Sequence, residues 1–375
     1  MIPIYKPFFK NNCLKYAHEA LDSTWVSSNG KYIPMAQEKL QDLLNVKHVL
    51  LLNNGTSACH LMAKSVLFKN KRETNIIVPN NVYVAAWNGF LYDKEFRFIT
   101  LDADLDTWNV SLEQLEKTIS LHLAMKDKFC VLIVHNLGNI IDVPALRVKY
   151  PATTFVEDNC EGFLGKYNGV YAGTESLCSA ISFFGNKNIT SGEGGALITN
   201  DSDIYEYANC LHGQGQSKDK FIHNEMGYNY RMTNIEAAIL YGQLECLDEI
   251  MERKNEIFEI YRKFVNNNKK ISYQKISNNT EHSNWMFGVR VIGLKNYNIA
   301  EEYFRNNGIE IRPMFYPMAA HKYLAKNGGI MSKMKPTNNA ILLNKECFML
   351  PSYPELTFSD QEKILSVLKS FLKNI

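Results

Sequence analysis

Through the first half of the chain, short runs of apolar, β-branched and aromatic residues alternate with stretches whose apolar positions recur at helical spacing. The short runs predict strands at 48–52, 75–78, 97–101, 129–134 and 154–156. Helical patterns lie between several of them, at 57–68, 82–92 and 111–120, and Ser111 ahead of Glu113 and Glu116 has the form of a capped, acidic first turn. Residues 179–184 and 195–199 read as two more strands around a glycine-rich turn. Strands alternating with helices predict an α/β layer, a mostly parallel central sheet flanked by helices.

The longest helical pattern opens at Thr233, a plausible N-cap. It runs through Ile235, Ala238, Ile239, Leu244, Leu247, Ile250 and Ile257 to about Phe264. A single helix of that length exceeds the usual span within one domain and is expected to bridge two. Asparagine-rich loops follow at 266–268 and 278–279. A strand at 286–292, a helix at 299–306, a strand at 309–311 and a final helix at 359–372 predict a smaller α+β domain. The expected division is a large domain over 1–248 and a small C-terminal domain over 249–375.

Composition narrows the function class. Lys plus Arg is 41 and Asp plus Glu is 39, too balanced for a nucleic-acid footprint. The eight cysteines form no CxxC pair and the nine histidines no HExxH, so the spacing predicts no metal site. Scattered cysteines in a long chain fit a reducing compartment. The N-terminal residues lack the apolar core of a leader, and the apolar runs are too short to span a bilayer. The expectation is a cytoplasmic protein without membrane or nucleic-acid partners.

Three segments carry chemistry. Asn54-Gly55-Thr56-Ser57-Ala58 follows a strand and opens a helix. Free backbone N–H groups there, with hydroxyls from Thr56 and Ser57, suit a phosphate, although a plain helix cap reads the same way. Val156-Glu157-Asp158 puts acids at the carboxyl end of an apolar strand, where ligands of open α/β sheets sit. A carboxylate there can hold a proton on a pyridine nitrogen, or merely cap a turn. Ser182-Phe183-Phe184-Gly185-Asn186-Lys187, followed by Ser191-Gly192-Glu193-Gly194-Gly195, offers an amine nucleophile beside a backbone that a bulky ligand can approach closely. Taken alone it is equally a surface hairpin.

In this order, and together with Val78-Pro79, Tyr83-Val84-Ala85 and Gly227-Tyr228-Asn229-Tyr230-Arg231-Met232, these segments resemble the DegT/DnrJ/EryC1/StrS sugar aminotransferases, which are fold type I pyridoxal-phosphate enzymes. The resemblance runs from about Lys6 to the C-terminus. Residues 182–187 and 227–232 look most like the 4-keto-6-deoxyhexose 4-aminotransferases that make perosamine-type sugars, as do Trp25-Val26-Ser27-Ser28-Asn29-Gly30 and Arg312-Pro313-Met314-Phe315-Tyr316-Pro317.

The resemblance implies roles. Lys187 is the Schiff-base lysine and proton shuttle, and Asp158 binds the pyridine nitrogen. Gly55, Thr56, Ser57 and Ser182 seat the phosphate, Tyr83 stacks on the ring, and Asn229 reaches the phosphate from a partner subunit of a homodimer. Ser27, Asn29, Arg231, Phe315, Tyr316 and His321 are the expected substrate-binding residues. Glu161 stands where many relatives have Gln or His near the cofactor hydroxyl, and serves there only if protonated or suitably hydrogen-bonded. A dehydratase branch of the family has His in place of the lysine, so Lys187 argues for amino transfer. The implied reaction moves an amino group from glutamate to C4 of a nucleotide-linked 4-keto-6-deoxyhexose. A 3-aminotransferase acting on a 3-keto sugar nucleotide, and a silent cofactor-binding regulator, are the alternatives.

Overall fold

The computed structural model describes residues 1–70, 74–93, 95–219, 221–326 and 338–375. The first unit is built on seven strands: β1 (His48–Leu52), β2 (Thr74–Pro79), β3 (Phe96–Leu101), β4 (Phe129–Val134), β5 (Thr154–Asp158), β6 (Ser179–Ser182) and β7 (Gly195–Thr199). Their order across the sheet is β1-β7-β6-β5-β4-β2-β3. Only β7 runs against its neighbours, pairing antiparallel with β1 and with β6.

β4 shows why the sheet needs helices on both faces. All six of its residues are buried. Cys130, Leu132 and Val134 enter one core, with the helix Gly55–Asn70. Phe129, Val131 and Ile133 enter another, with the helix Leu112–Ala124. Alternation along the strand thus feeds two cores at once, the mark of a covered parallel sheet. The expected caps are present. The Ser111 side chain accepts from the Gln114 N–H, and Thr233 with Glu236 forms a reciprocal capping box.

The second unit carries a four-stranded antiparallel sheet: β8 (Ile271–Ser272), β9 (Phe287–Val291), β10 (Arg312–Pro313) and β11 (Cys347–Leu350), ordered β8-β9-β11-β10. Helices Leu247–Asn266, Tyr297–Asn306 and Phe358–Phe371 contribute to its core. We propose a division between the units near 248/249. Ile2 crosses it, packing into the C-terminal core and bridging Ile309. A small sheet of Lys166–Tyr167, Val170–Tyr171 and Thr280–Glu281 also ties the two together.

Two expectations are corrected. The single helix from 233 to 264 is two, Asn234–Glu245 and Leu247–Asn266. They part at Cys246, whose N–H turns back to Gln243 O at 3.1 Å. The strand expected at 309–311 reduces to a bridge at Ile309, and pairing in the sheet starts at Arg312 because the N-terminal residues claim the preceding backbone: Ile2 N–H donates to Gly308 O and Glu310 N–H to Ile2 O. Among the described residues no helix is long and apolar enough to cross a membrane.

Candidate active site

The carboxyl ends of β5 and β6, the segment after β1 and the start of β7 meet at one edge of the large sheet, and β10 and β11 of the second unit close over them. Between them lies a cavity of about 630 Å³. Of the residues expected to bind cofactor, it is lined by Gly55, Thr56, Tyr83, Asp158, Glu161, Ser182 and Lys187. Of those expected to bind substrate, Phe315, Tyr316 and His321 line it.

Alternation on β5 separates two adjacent acids. Asp158 lines the cavity, accepting from Cys160 N–H at 3.0 Å on one oxygen and from the Cys59 thiol at 3.8 Å on the other. Glu157 faces the opposite side, where His135 at 2.8 Å and the Gly173 N–H at 3.0 Å hold its carboxylate in the interior. His135 Nδ1 accepts from Ile141 N–H, so Nε2 is left to donate to Glu157.

The first turn of helix Gly55–Asn70 opens on the cavity. A Cβ at Gly55 would lie 2.7 Å from that of Ser182, so only glycine lets the turn abut β6. Thr56 and Ser182 line the cavity, whereas Ser57 does not and donates its hydroxyl to Asn53 Oδ1 at 2.7 Å.

Lys187 sits just past β6 in a loop gripped from both units. Tyr5 donates its hydroxyl to Lys187 O at 2.5 Å, Trp285 Nε1 donates to Asn186 O at 2.7 Å, and Asn188 Nδ2 donates to Ser283 O at 2.7 Å. Glu161, 7% exposed, accepts from Leu137 N–H at 2.8 Å. Burial pushes its carboxyl up to about 7, against the pull of Lys187 and of that hydrogen bond. The protonation that the sequence required of a Glu here is therefore available.

Besides Ser57, four expected residues lie outside the cavity. Ser27 and Asn29 are on an exposed loop. Arg231 donates to Ser28 Oγ and to Asn229 Oδ1, so it and Asn229 are engaged with each other on the outer side.

The sequence passed over several residues that the fold brings in. Trp285, Arg312, Glu193 and Cys160 line the cavity, and Cys59 backs Asp158. No spacing rule links Cys59 to Cys160, yet their thiols and the Asp158 carboxylate have ligand atoms within 4.8 Å of one another. The Cys160 thiol is held well above its ordinary range by its hydrogen bond with Cys59 and by burial, which favours a protonated wall over a thiolate ligand set.

Comparison with known proteins agrees with this geometry. The model of the DegT/DnrJ/EryC1/StrS aminotransferase family matches residues 8–369. The GDP-perosamine synthase of Escherichia coli O157:H7 is 36% identical over 84% of this chain and 85% of its own, and that of Vibrio cholerae is 33% identical over the whole of both. Among solved structures, Helicobacter pylori PseC, an aminotransferase involved in pseudaminic acid biosynthesis, superposes with a TM-score of 0.89 at 22% identity, covering 99% of each chain. With an amine, a carboxylate and a helix N-terminus converging on one cavity and the family match running nearly end to end, the chain belongs to the DegT/DnrJ/EryC1/StrS family of pyridoxal-phosphate-dependent aminotransferases.

Proposed function

We propose that this aminotransferase moves the amino group of glutamate to C4 of a nucleotide-linked 4-keto-6-deoxyhexose, giving an amino sugar of the perosamine type. The observation that carries the reading is the cavity itself, where Lys187 and Asp158 face a common space roofed by Phe315, Tyr316 and His321 of the second unit. The match to perosamine synthases along most of the chain supports the choice of sugar and of carbon.

The cavity fits pyridoxal phosphate by the chemistry of its donors. The Gly55 turn with Thr56 and Ser182 makes an anion seat, close-fitted at the glycine. Asp158 is the buried carboxylate suited to hold a proton on the ring nitrogen, and Tyr83, 60% exposed, offers an aromatic face at the mouth. When bound, the cofactor supplies an electrophilic carbon and an electron sink. Lys187 Nζ is the group that attaches it and carries a proton to and from the substrate carbon. Glu161 in its protonated form has an O–H to offer the ring hydroxyl. The Cys59 thiol backs Asp158, donating to its carboxylate at 3.8 Å.

A homodimer completes this reading. Asn229, Arg231, Ser27 and Asn29 lie away from their own cavity, beside Trp25 and Val26, whose apolar side chains are 61% and 39% exposed. A two-fold partner would cover that face and receive those polar groups. We assign the enzyme to the cytoplasm on its cysteine usage, eight residues scattered along the chain with no CxxC pair.

The test is a mass-spectrometric screen of 4-keto-6-deoxy sugars carried on GDP, UDP and dTDP, with glutamate and cofactor. A product one amino group richer from the GDP sugar is expected. Amination of 3-keto sugars alone would replace the assignment.

A further inference from the structure

An aminotransferase of this kind admits two anionic substrates, a dicarboxylate amino donor and a sugar diphosphate, and a low-dielectric cavity must meet their charge with a cation. The carboxylates, cations and imidazole lining this cavity are Asp158, Glu161, Glu193, Lys187, Arg312 and His321. Lys187 is committed to covalent and proton chemistry. Arg231, the cation expected for substrate phosphates, lies outside its own chain's cavity and is held by Ser28 and Asn229.

Arg312 differs from both. Its backbone is fixed on β10, where it pairs with Met349 and is followed by Pro313, itself paired with Phe348. Its side chain is half-buried at the cavity wall, and among the described residues its guanidinium has no hydrogen-bond or ion-pair partner. A planar fork of donors set on a strand and left unmatched is an oxyanion receptor awaiting its ligand.

We propose that Arg312 is the oxyanion anchor of the cavity, binding either a carboxylate of the amino donor or the diphosphate of the sugar nucleotide. The inference rests on the aminotransferase reading above, and the experiment separates the two. Holoenzyme is prepared as wild type, Arg312→Gln and Arg312→Lys. Loss of the visible cofactor colour on adding glutamate, and its return on adding 2-oxoglutarate or the keto sugar nucleotide, follow each half-reaction. Calorimetric titration with glutarate and with GDP, neither of which can react, measures binding alone.

Arg312→Gln is expected to raise the half-saturating concentration of one substrate, and the dissociation constant of its probe, on the order of tenfold to a hundredfold, with a smaller change in maximal rate. Arg312→Lys, which keeps the charge but not the fork, should fall between. A glutamate and glutarate effect identifies the carboxylate as ligand, and a sugar-nucleotide and GDP effect identifies the diphosphate. Half-saturation and both probe affinities within twofold of wild type would overturn the assignment. Wild-type enzyme that keeps its colour in glutamate would sink the donor reading alone, and the two titrations would still decide Arg312.

Discussion

The Lys187 ammonium stands 4.0 Å from the centroid of the Trp285 ring, and the same indole donates its N–H to the carbonyl of Asn186, the residue before the lysine. One side chain from the second unit thus fixes the loop and faces the amine. A cation over an indole gains about 0.5–1 kcal/mol when exposed and about 2 when desolvated. Trp285→Ala is expected to lower kcat about tenfold, since roughly 1.4 kcal/mol corresponds to a decade in rate. Trp285→Phe keeps the aromatic face but leaves the Asn186 carbonyl without its donor, and should lose less. Steady-state kinetics on both variants check the order, and a phenylalanine variant worse than the alanine one would contradict it.

Adjacent acids on β5 should part company on mutation. Asp158→Asn faces the cavity and cannot hold a proton on a ring nitrogen, so activity is expected to drop by about a thousandfold, some 4 kcal/mol of barrier. Glu157→Gln takes the charge out of the buried contact with His135 on the far side, and should lower the melting temperature while leaving kcat within a few-fold. Measuring kcat and Tm for both separates the roles. Equal losses of activity would mean that the alternation does not divide chemistry from support.

Much of this site was readable before folding, for a physical reason. Asp158, Ser182 and Lys187 sit at or just past strand ends, and apolar runs bounded by glycine and polar residues mark strand ends plainly. What the sequence could not give is contact across long separations. Trp285 reaches Asn186, and Tyr5 reaches Lys187, only because the second unit and the N-terminus fold over the loop. Helices were lost where their local signals were weak. Asn11–Asp22 and Tyr32–Leu44 both start without a side-chain cap. Ser202–His212 did carry a signal, because Asp201 accepts from the N–H groups of Asp203 and Ile204 as an N-cap.

Glu161 sets a pH dependence on cofactor binding. Burial raises its carboxyl to about 7, so the O–H is present below that pH and lost above it. Pyridoxal-phosphate affinity of the apoenzyme should therefore weaken as pH rises through about 7. Between the usual carboxyl range and 7 the folded state also binds more protons than the unfolded chain, so this group makes apoenzyme stability fall with rising pH in that window. Glu161→Gln keeps a donor at every pH, and both slopes should flatten. A pH profile of affinity unchanged in the glutamine variant would assign the dependence elsewhere.

Lys254 acts on stability in the opposite sense and in a different window. It is fully buried on the helix Leu247–Asn266 and donates to Trp285 O at 2.8 Å and Ser352 O at 3.1 Å. Burial lowers its amine to about 7. Between 7 and the ordinary lysine range the unfolded chain binds the extra proton, so stability rises with pH by up to about 1.4 kcal/mol per unit. Lys254→Met should abolish that rise. It should also destabilise the fold at pH 9, because two buried carbonyls lose their donor at about 1–3 kcal/mol each. Denaturant melts at pH 7, 8 and 9 read both effects, and a rise that persists in the methionine variant would assign it to another group.

The proposed dimer makes the sharpest demand on the exposed face. If Asn229 completes the partner's cavity, Lys187→Ala and Asn229→Ala are defects in different chains of the same site. Each variant alone should be impaired, the first without turnover and the second through weakened cofactor binding. Mixing them with subunit exchange gives about half mixed dimers, by closed two-fold symmetry. In a mixed dimer one site carries both defects and the other neither. Activity should climb toward about a quarter of wild type, one intact site in half of the dimers. Trp25→Asp, placing a charge on the apolar face next to Ser27, should weaken the dimer and reduce recovery in parallel with the fraction of monomer seen by sedimentation. Exchange proven by mass labelling but without recovery would put Asn229 at its own chain's site. That outcome would require the Asn229 pairing with Arg231 to break and the segment to swing inward.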